Sequence, residues 1–296
     1  MAKSVSSQIQ KDPRCHDLGS ETFRFLFRKV KAIFLYHVIA FVVLFITKAL
    51  LEGYSLRMLV RKFLDYVPNL LLIQKLGFGS PLNRVEWYIC CMIFALALLY
   101  PLCRKYYSMF VHVLAPVGSL MILGYLTHQY GTFAPGTETW AGFIPVYLLR
   151  GVAEIALGAS AYELSVFLSK QPLTHSVKCL LSVSETLCYL GALTFCVTTM
   201  SAKYEIIFTL ALFFAIAASF SRQTYGNQFF DHKVIYFLGS FSLPLYLNQV
   251  IGLDIAEKLL PDRPALQISV CLGITFLSAG LARLFLTVIP RLKNKH

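Results

Sequence analysis

The sequence predicts an all-α polytopic membrane helix bundle, with about eight transmembrane helices and one amphipathic or re-entrant segment. Two observations carry that fold class. Composition is 57% hydrophobic and only 14% charged, with a mean hydropathy of +0.63, too apolar for an ordinary soluble domain. Apolar runs near the spanning length of about 20 residues recur along the whole chain. The net charge of +12 does not point to nucleic acid, which would need basic residues gathered on one solvated face. Here they fall in short connectors, where they set membrane topology.

Residues 1–31 form a polar, basic tail carrying Lys3, Lys11, Arg14, Arg24, Arg28, Lys29 and Lys31. It is too long and too polar for the start of a secretory signal. Eight spans follow, at 33–51, 87–103, 109–126, 143–168, 177–199, 206–220, 234–251 and 266–289. The second opens on Trp87-Tyr88, amphipathic rings of the kind that settle at a membrane–water boundary. Between the first two spans, connector 52–86 places Leu56, Leu59, Val60, Phe63, Leu64 and Val67 at helical spacing opposite Arg57, Arg61, Lys62 and Asp65. Such a helix lies in the interface or re-enters; Pro68 is expected to end it. Gly77 to Pro81, reading GFGSP, then supplies a turn.

Loop charge gives an orientation. With the tail in the cytoplasm, that side also receives Arg104, Lys105, Lys170, Lys178, Arg222, Lys233, Arg291, Lys293 and Lys295, sixteen basic residues in all. The other side holds Arg57, Arg61, Lys62, Lys75, Arg84, Lys203, Lys258 and Arg263. The bias predicts a multi-pass protein of the cytoplasmic (inner) membrane with both termini inside.

Charge inside a span costs about 2.5–3.5 kcal/mol on insertion scales, so it marks a partner, water or a site. Arg150 and Glu154 in the fourth span are four apart and share a helix face, either as a functional pair or as a structural one near the bilayer edge. Gly151 and Gly158 leave that helix narrow, and Glu163 near its end is placed to reach water. His37 in the first span is a candidate for proton transfer or a solvated interfacial histidine, and Lys48 is expected to snorkel. The seventh span carries Ser240, Ser242, Tyr246, Asn248 and Gln249 around Pro244; these either knit helices together or line a polar cavity. The eight cysteines form neither a disulfide framework nor a metal-ligand pattern, and Cys15-His16 stands isolated.

Four stretches resemble acyltransferase family 3, integral-membrane enzymes that O-acylate sugars and other hydroxylated molecules of the bacterial envelope. RKVKAIF, Arg28 to Phe34, resembles the family's RxxR stretch, with Lys31 at the second arginine and Phe34 at a proline position. EWYICCMIFALALLYPL resembles its tryptophan-led helix ending in Tyr-Pro-Leu, with Met92 where many members carry glutamate. LLRGVAEIALGASAYEL resembles its arginine-to-glycine helix. LGSFSLPLYLNQ resembles its late Ser-x-x-x-Tyr-Leu-x-His pattern, with Gln249 at the histidine. The order and spacing of these stretches over residues 23–289 carry the resemblance.

The resemblance implies a single membrane-embedded domain over 1–296 and transfer of an acyl group, acetyl by default, from acyl-CoA to a sugar hydroxyl. No tightly bound cofactor or metal is implied. The expected partners are membrane lipid, acyl-CoA and a sugar or polysaccharide acceptor. Arg28, Lys29 and Lys31 would bind the donor's phosphates. Arg150 and Glu154 would form the catalytic pair, and Trp87, Tyr88, Ser242, Tyr246 and Gln249 would contact the acceptor. Family members have ten core helices, with the catalytic histidine in the first. MAKSVS resembles the residues that follow their second helix, so the domain is expected to be N-terminally incomplete, without that histidine and inactive alone. His37 does not match its position. A secondary transporter of a small polar or anionic solute is the alternative, although no internal repeat of helices is found. A non-catalytic remnant is the third reading.

Overall fold

The computed structural model describes all residues except 13–16, 79–80, 134–135, 137, 199–200, 228–230 and 294–296, with side chains described to 286. Among the described residues ten helices account for the architecture: α1 Ala2–Lys11, α2 Leu18–Glu52, α3 Leu56–Leu70, α4 Trp87–Lys105, α5 Tyr107–Tyr130, α6 Val146–Ser169, α7 His175–Val197, α8 Glu205–Ser221, α9 Lys233–Leu259 and α10 Pro264–Lys293. Eight segments of the described residues are long and apolar enough to cross a membrane, at the eight predicted places. The chain is a multi-pass helix bundle. Its only strands among the described residues, Thr139–Trp140 and Ile144–Pro145, form a small antiparallel hairpin ahead of α6.

Boundaries differ from the expected ones where polar residues join a helix. The first spanning helix begins at Leu18, because Asp17 caps it: its carboxylate accepts from the Ser20 amide at 3.0 Å and the Ser20 hydroxyl at 2.5 Å. Those bonds hold the Asp17 carboxyl below its ordinary range. Pro68 does not end α3, which continues two residues past it to Leu70. Cys15-His16 and the Gly79-Ser80 part of the expected turn lie outside the described residues.

The chain divides into two compact units, residues 1–26 with 91–235 and residues 27–90 with 236–296, so α2, α4 and α9 contribute to both. In the first, α1 packs Ala2 and Val5 into a core with Phe25, Tyr100, Phe110 and Ala156. Phe25 stacks on Tyr100 at 4.3 Å. Around that core Glu21 accepts from Arg104 Nε at 3.0 Å and from the Tyr100 hydroxyl at 2.6 Å, while Arg104 Nη2 donates to the Asp12 carbonyl at 2.5 Å. The polar N-terminal segment is thereby tied to α4.

In the second unit Phe41 and Leu44 of α2, Tyr66 of α3, Leu82 of the connector and Val250 and Ile251 of α9 form the core. Helix α3 turns Tyr66 and Asn69 inward and leaves Leu56, Val60, Phe63 and Leu64 uncovered. That uncovered apolar face suits the predicted place in the interface. Gly252 lets α9 meet α10: a Cβ there would lie 2.4 Å from both the Cys271 carbonyl oxygen and Thr275 Oγ1.

A local defect in the first unit shows how side chains repair backbone. Pro116 has no N–H to give, and α5 answers with a π-turn over Phe110–Leu114 in which the Ala115 amide reaches back to the Phe110 carbonyl. The Val111 carbonyl then has neither the Ala115 nor the Pro116 amide as donor. Ser160 of α6 supplies one, its hydroxyl bonding Val111 O at 2.8 Å in a buried setting. Ser160→Ala should therefore cost about 1–3 kcal/mol, the penalty of an unmade buried bond. Thermal unfolding in detergent measures it. In a Pro116→Ala background, which restores an amide, the cost should shrink; an unchanged cost would refute the repair.

Candidate functional site

The site grows from the connector. Ser55 caps α3, its hydroxyl oxygen accepting from the Met58 amide at 3.4 Å. After α3 and a short turn over Gln74–Leu76, Gly77 bends the chain at φ 93°, a conformation glycine adopts without strain. The chain returns at Leu82-Asn83, where Asn83 caps a single 3-10 turn, Arg84–Glu86, that leads into α4. The turn leaves the Glu86 carboxylate fully buried one residue ahead of Trp87. A buried carboxylate needs donors.

Three side chains answer it. His37 Nδ1 lies 2.8 Å from Glu86 Oε1, Asn83 Nδ2 donates to the same oxygen at 3.1 Å, and Asn69 Nδ2 donates to Oε2. His37 Nε2 faces the Leu70 carbonyl at 3.1 Å. A carbonyl only accepts, so Nε2 carries a hydrogen, and the one remaining hydrogen sits between Nδ1 and Oε1. Asn69 Oδ1 accepts the Leu82 amide at 2.5 Å and the Asn83 amide at 3.2 Å. His37 and Glu86 both have 0% exposure. The constellation is closed: its polar atoms face one another and the backbone, so it positions the connector and is not an open base.

The late helix α9 is fastened to the same turn. Asn83 Nδ2 also donates to the Leu247 carbonyl at 2.9 Å, and the Tyr246 hydroxyl donates to the Val85 carbonyl. Farther along α9, Asp254 Oδ2 stands 3.7 Å from Lys48 Nζ and Asp254 Oδ1 accepts from Arg84 Nη2 at 3.3 Å. Thus α2, the connector and α9 are joined at two polar levels. Gln74 is buried with neither amide atom partnered among the described residues, as are Asn248 Oδ1 and Thr275 Oγ1.

Several predicted residues take other places than expected. His37 is neither alone nor solvated, because the connector folds back and brings Glu86 to it. Lys48 does not simply snorkel; it faces Asp254. Glu163 accepts the Tyr107 hydroxyl at 2.8 Å, so it is tied to α5. Ser242 is exposed and bonds the Gly239 carbonyl at 2.8 Å, and Gln249 bonds the Tyr246 carbonyl at 3.2 Å. Trp87 and Tyr88 meet edge to face at 5.8 Å. Arg28, Lys29 and Lys31 are exposed on α2. Those residues all belong to the second unit, Glu163 and Tyr107 excepted.

Arg150 and Glu154 belong to the first unit. They pair as their spacing predicts, at 2.7 Å, with side chains 24% and 25% exposed. A Cβ on Gly151 would meet Cys91 Cβ at 2.9 Å, so the glycine lets α6 lie against α4 beside the arginine. Among the described residues no group of three or more His, Cys, Asp or Glu could hold a metal.

Sequence reasoning missed Asn69, Asn83, Glu86, Asp254 and Arg283, whose guanidinium lies over Phe237 at 4.7 Å and Phe241 at 5.4 Å. One local signal existed. Asn83 with Glu86 three residues later, directly ahead of an apolar run, has the form of a capping box. Comparison with protein-family models, curated proteins and solved structures finds no match to this chain.

Removing one partner of a buried charged pair strands the other, at about 3–5 kcal/mol. Glu86→Gln and His37→Gln should each lower the unfolding free energy in detergent by an amount in that range. The double variant should lose well under the sum. Strict additivity, within about 0.5 kcal/mol, would show that the two side chains do not act as a pair.

Proposed function

We propose that this chain belongs to a membrane O-acyltransferase that moves an acyl group, acetyl in the simplest case, from acyl-CoA to a hydroxyl of a sugar or other envelope molecule. The observation that carries the reading is convergence. The tryptophan-led stretch and the late Ser-x-x-x-Tyr-Leu-x-Gln stretch, both quoted for the family resemblance, are far apart in sequence. The late stretch is bonded to the turn directly ahead of the tryptophan-led one, Asn83 Nδ2 donating to Leu247 O and the Tyr246 hydroxyl to Val85 O. The basic stretch lies on α2, the helix that carries His37 into the same unit. The basic stretch, the late stretch and the first five residues of the tryptophan-led one, 86–90, thus share one packed unit.

In this reading the acceptor hydroxyl attacks the thioester carbonyl, the new C–O bond forms as the C–S bond breaks, and the hydroxyl proton leaves through a general base to the CoA thiolate. The resemblance places that base in a helix other than those described. Exposed Arg28, Lys29 and Lys31 suit the donor's phosphates on the cytoplasmic face. Arg150, held by Glu154 yet still partly open, suits a donor to the developing oxyanion. The Gln74 amide and Asn248 Oδ1, without a partner among the described residues, give the second unit hydrogen-bonding capacity for a hydroxylated acceptor. Trp87, Tyr88, Ser242, Tyr246 and Gln249 remain the acceptor contacts of the resemblance. The protein then works in the cytoplasmic membrane with both termini inside.

A second reading is secondary transport of a small polar or anionic solute, favoured by the partly exposed Arg150–Glu154 pair inside a spanning helix. One experiment separates the two. Membranes bearing this chain, and membranes bearing any longer form encoded in frame upstream of Met1, are given acetyl-CoA labelled in the acetyl group. Label in alkali-labile ester on envelope glycan is expected from a form that includes the histidine helix, and Arg150→Gln should lower the rate about 10²–10³-fold. No ester label from any form, with solute uptake into liposomes instead, would overturn acyl transfer in favour of transport.

A further inference from the structure

The first unit contains a cleft of about 590 Å³ that none of the roles above uses. Ile155 and Gly158 of α6 and Ile216 and Phe220 of α8 line its apolar part, with Tyr162 and Ser165 on one wall. Where α6 and α8 end, the lining continues with Ser169, which ends α6, and Arg222, which follows α8, together with Lys3 of α1. Gly158 leaves the cleft open beside α6; a Cβ there would meet nothing within 4 Å.

The topology places this cleft against the bilayer. Helices α6, α7 and α8 run back and forth, so α6 and α8 end on the same membrane side, where Lys170 and Arg222 stand. From Ser169 inward to Ile155 the lining extends about 21 Å along α6 at 1.5 Å per residue. That is roughly two thirds of a 30 Å hydrocarbon layer. An apolar slot of that depth, with basic residues in its lining where α6 and α8 end, fits a hydrocarbon chain with an anion at its head. The acids nearby do not cancel the charge at that end. Asp231 Oδ1 is 3.9 Å from Arg222 Nη2 with both side chains largely exposed, and Glu163 accepts the Tyr107 hydroxyl.

We propose that the cleft is a lipid site that takes one acyl chain of an anionic phospholipid, its phosphate between Lys3 and Arg222. The acyl chain gains little over the bilayer it leaves, since lipid tails are as apolar as the slot. Selectivity therefore comes from the headgroup. Two basic side chains at a membrane surface favour an anionic over a zwitterionic lipid by roughly an order of magnitude or more. The site is independent of the acyl-transfer reading, because it needs only that these helices cross a membrane.

Native mass spectrometry of the full chain in detergent, titrated with phosphatidylglycerol or phosphatidylcholine, tests it. One phosphatidylglycerol should be retained with about ten-fold preference or more. A Lys3→Gln/Arg222→Gln variant should abolish the preference. Gly158→Leu, which fills open space at a helix interior, should abolish retention while leaving helix content and lipid-free unfolding unchanged. Equal retention of both lipids, or retention untouched by these variants, would overturn the proposal. So would displacement by glycerol phosphate alone, which would mean a headgroup site without a chain. Displacement by palmitoyl-CoA at about a tenth of the phosphatidylglycerol concentration would overturn it as well, since the cleft would then be a thioester site.

Discussion

Glu86 is a carboxylate without exposure, placed one residue before a spanning helix, and it survives there only because side chains from elsewhere donate to it. Removing a carboxylate from water costs several kcal/mol even after relaxation, and no single helix can repay that. The imidazole of α2 and the amides of Asn69 and Asn83 do so together. The demand for donors therefore pins α2 and the connector into one arrangement. Asn83 passes the constraint on to α9 through Leu247 O.

The same economy of polar groups recurs through the bundle. Glu21 is met by Arg104 and Tyr100, Glu163 by Tyr107, Asp254 by Lys48 and Arg84. The Val111 carbonyl, orphaned by Pro116, is met by Ser160. Lipid offers a helix no hydrophobic drive to bind another helix. Bonds of this kind, with close approaches at Gly151 and Gly252, are what select one packing among many.

Functional meaning divides along the same line. A closed network such as that around Glu86 sets geometry, whereas groups that retain exposure or unfilled bonding capacity can meet a ligand. Arg150 with Glu154, the basic stretch of α2 and the cleft beside Gly158 are of the second kind. The proposed lipid site shares α6 with Arg150 and Glu154 but uses none of the residues given to acyl transfer, so each stands or falls separately.

Sequence alone determined the spans, because apolar length is a local property: a run long enough to cross hydrocarbon is visible without knowing its neighbours. Trp87 as the start of a helix, the Arg150–Glu154 pair at i,i+4 and the amphipathic connector were legible for the same reason, each resting on a period of a few residues. Tertiary structure decided which polar groups are buried and by whom they are answered. His37 and Glu86 are 49 residues apart, and Asn83 reaches Leu247 over 164. No periodicity spans such distances. The polar residues 1–11 read as a tail by composition, yet Val5 is buried because α1 found a place against the bundle. Whether a polar residue is solvated or enclosed depends on what the rest of the chain brings to it, and that is settled only when the helices pack.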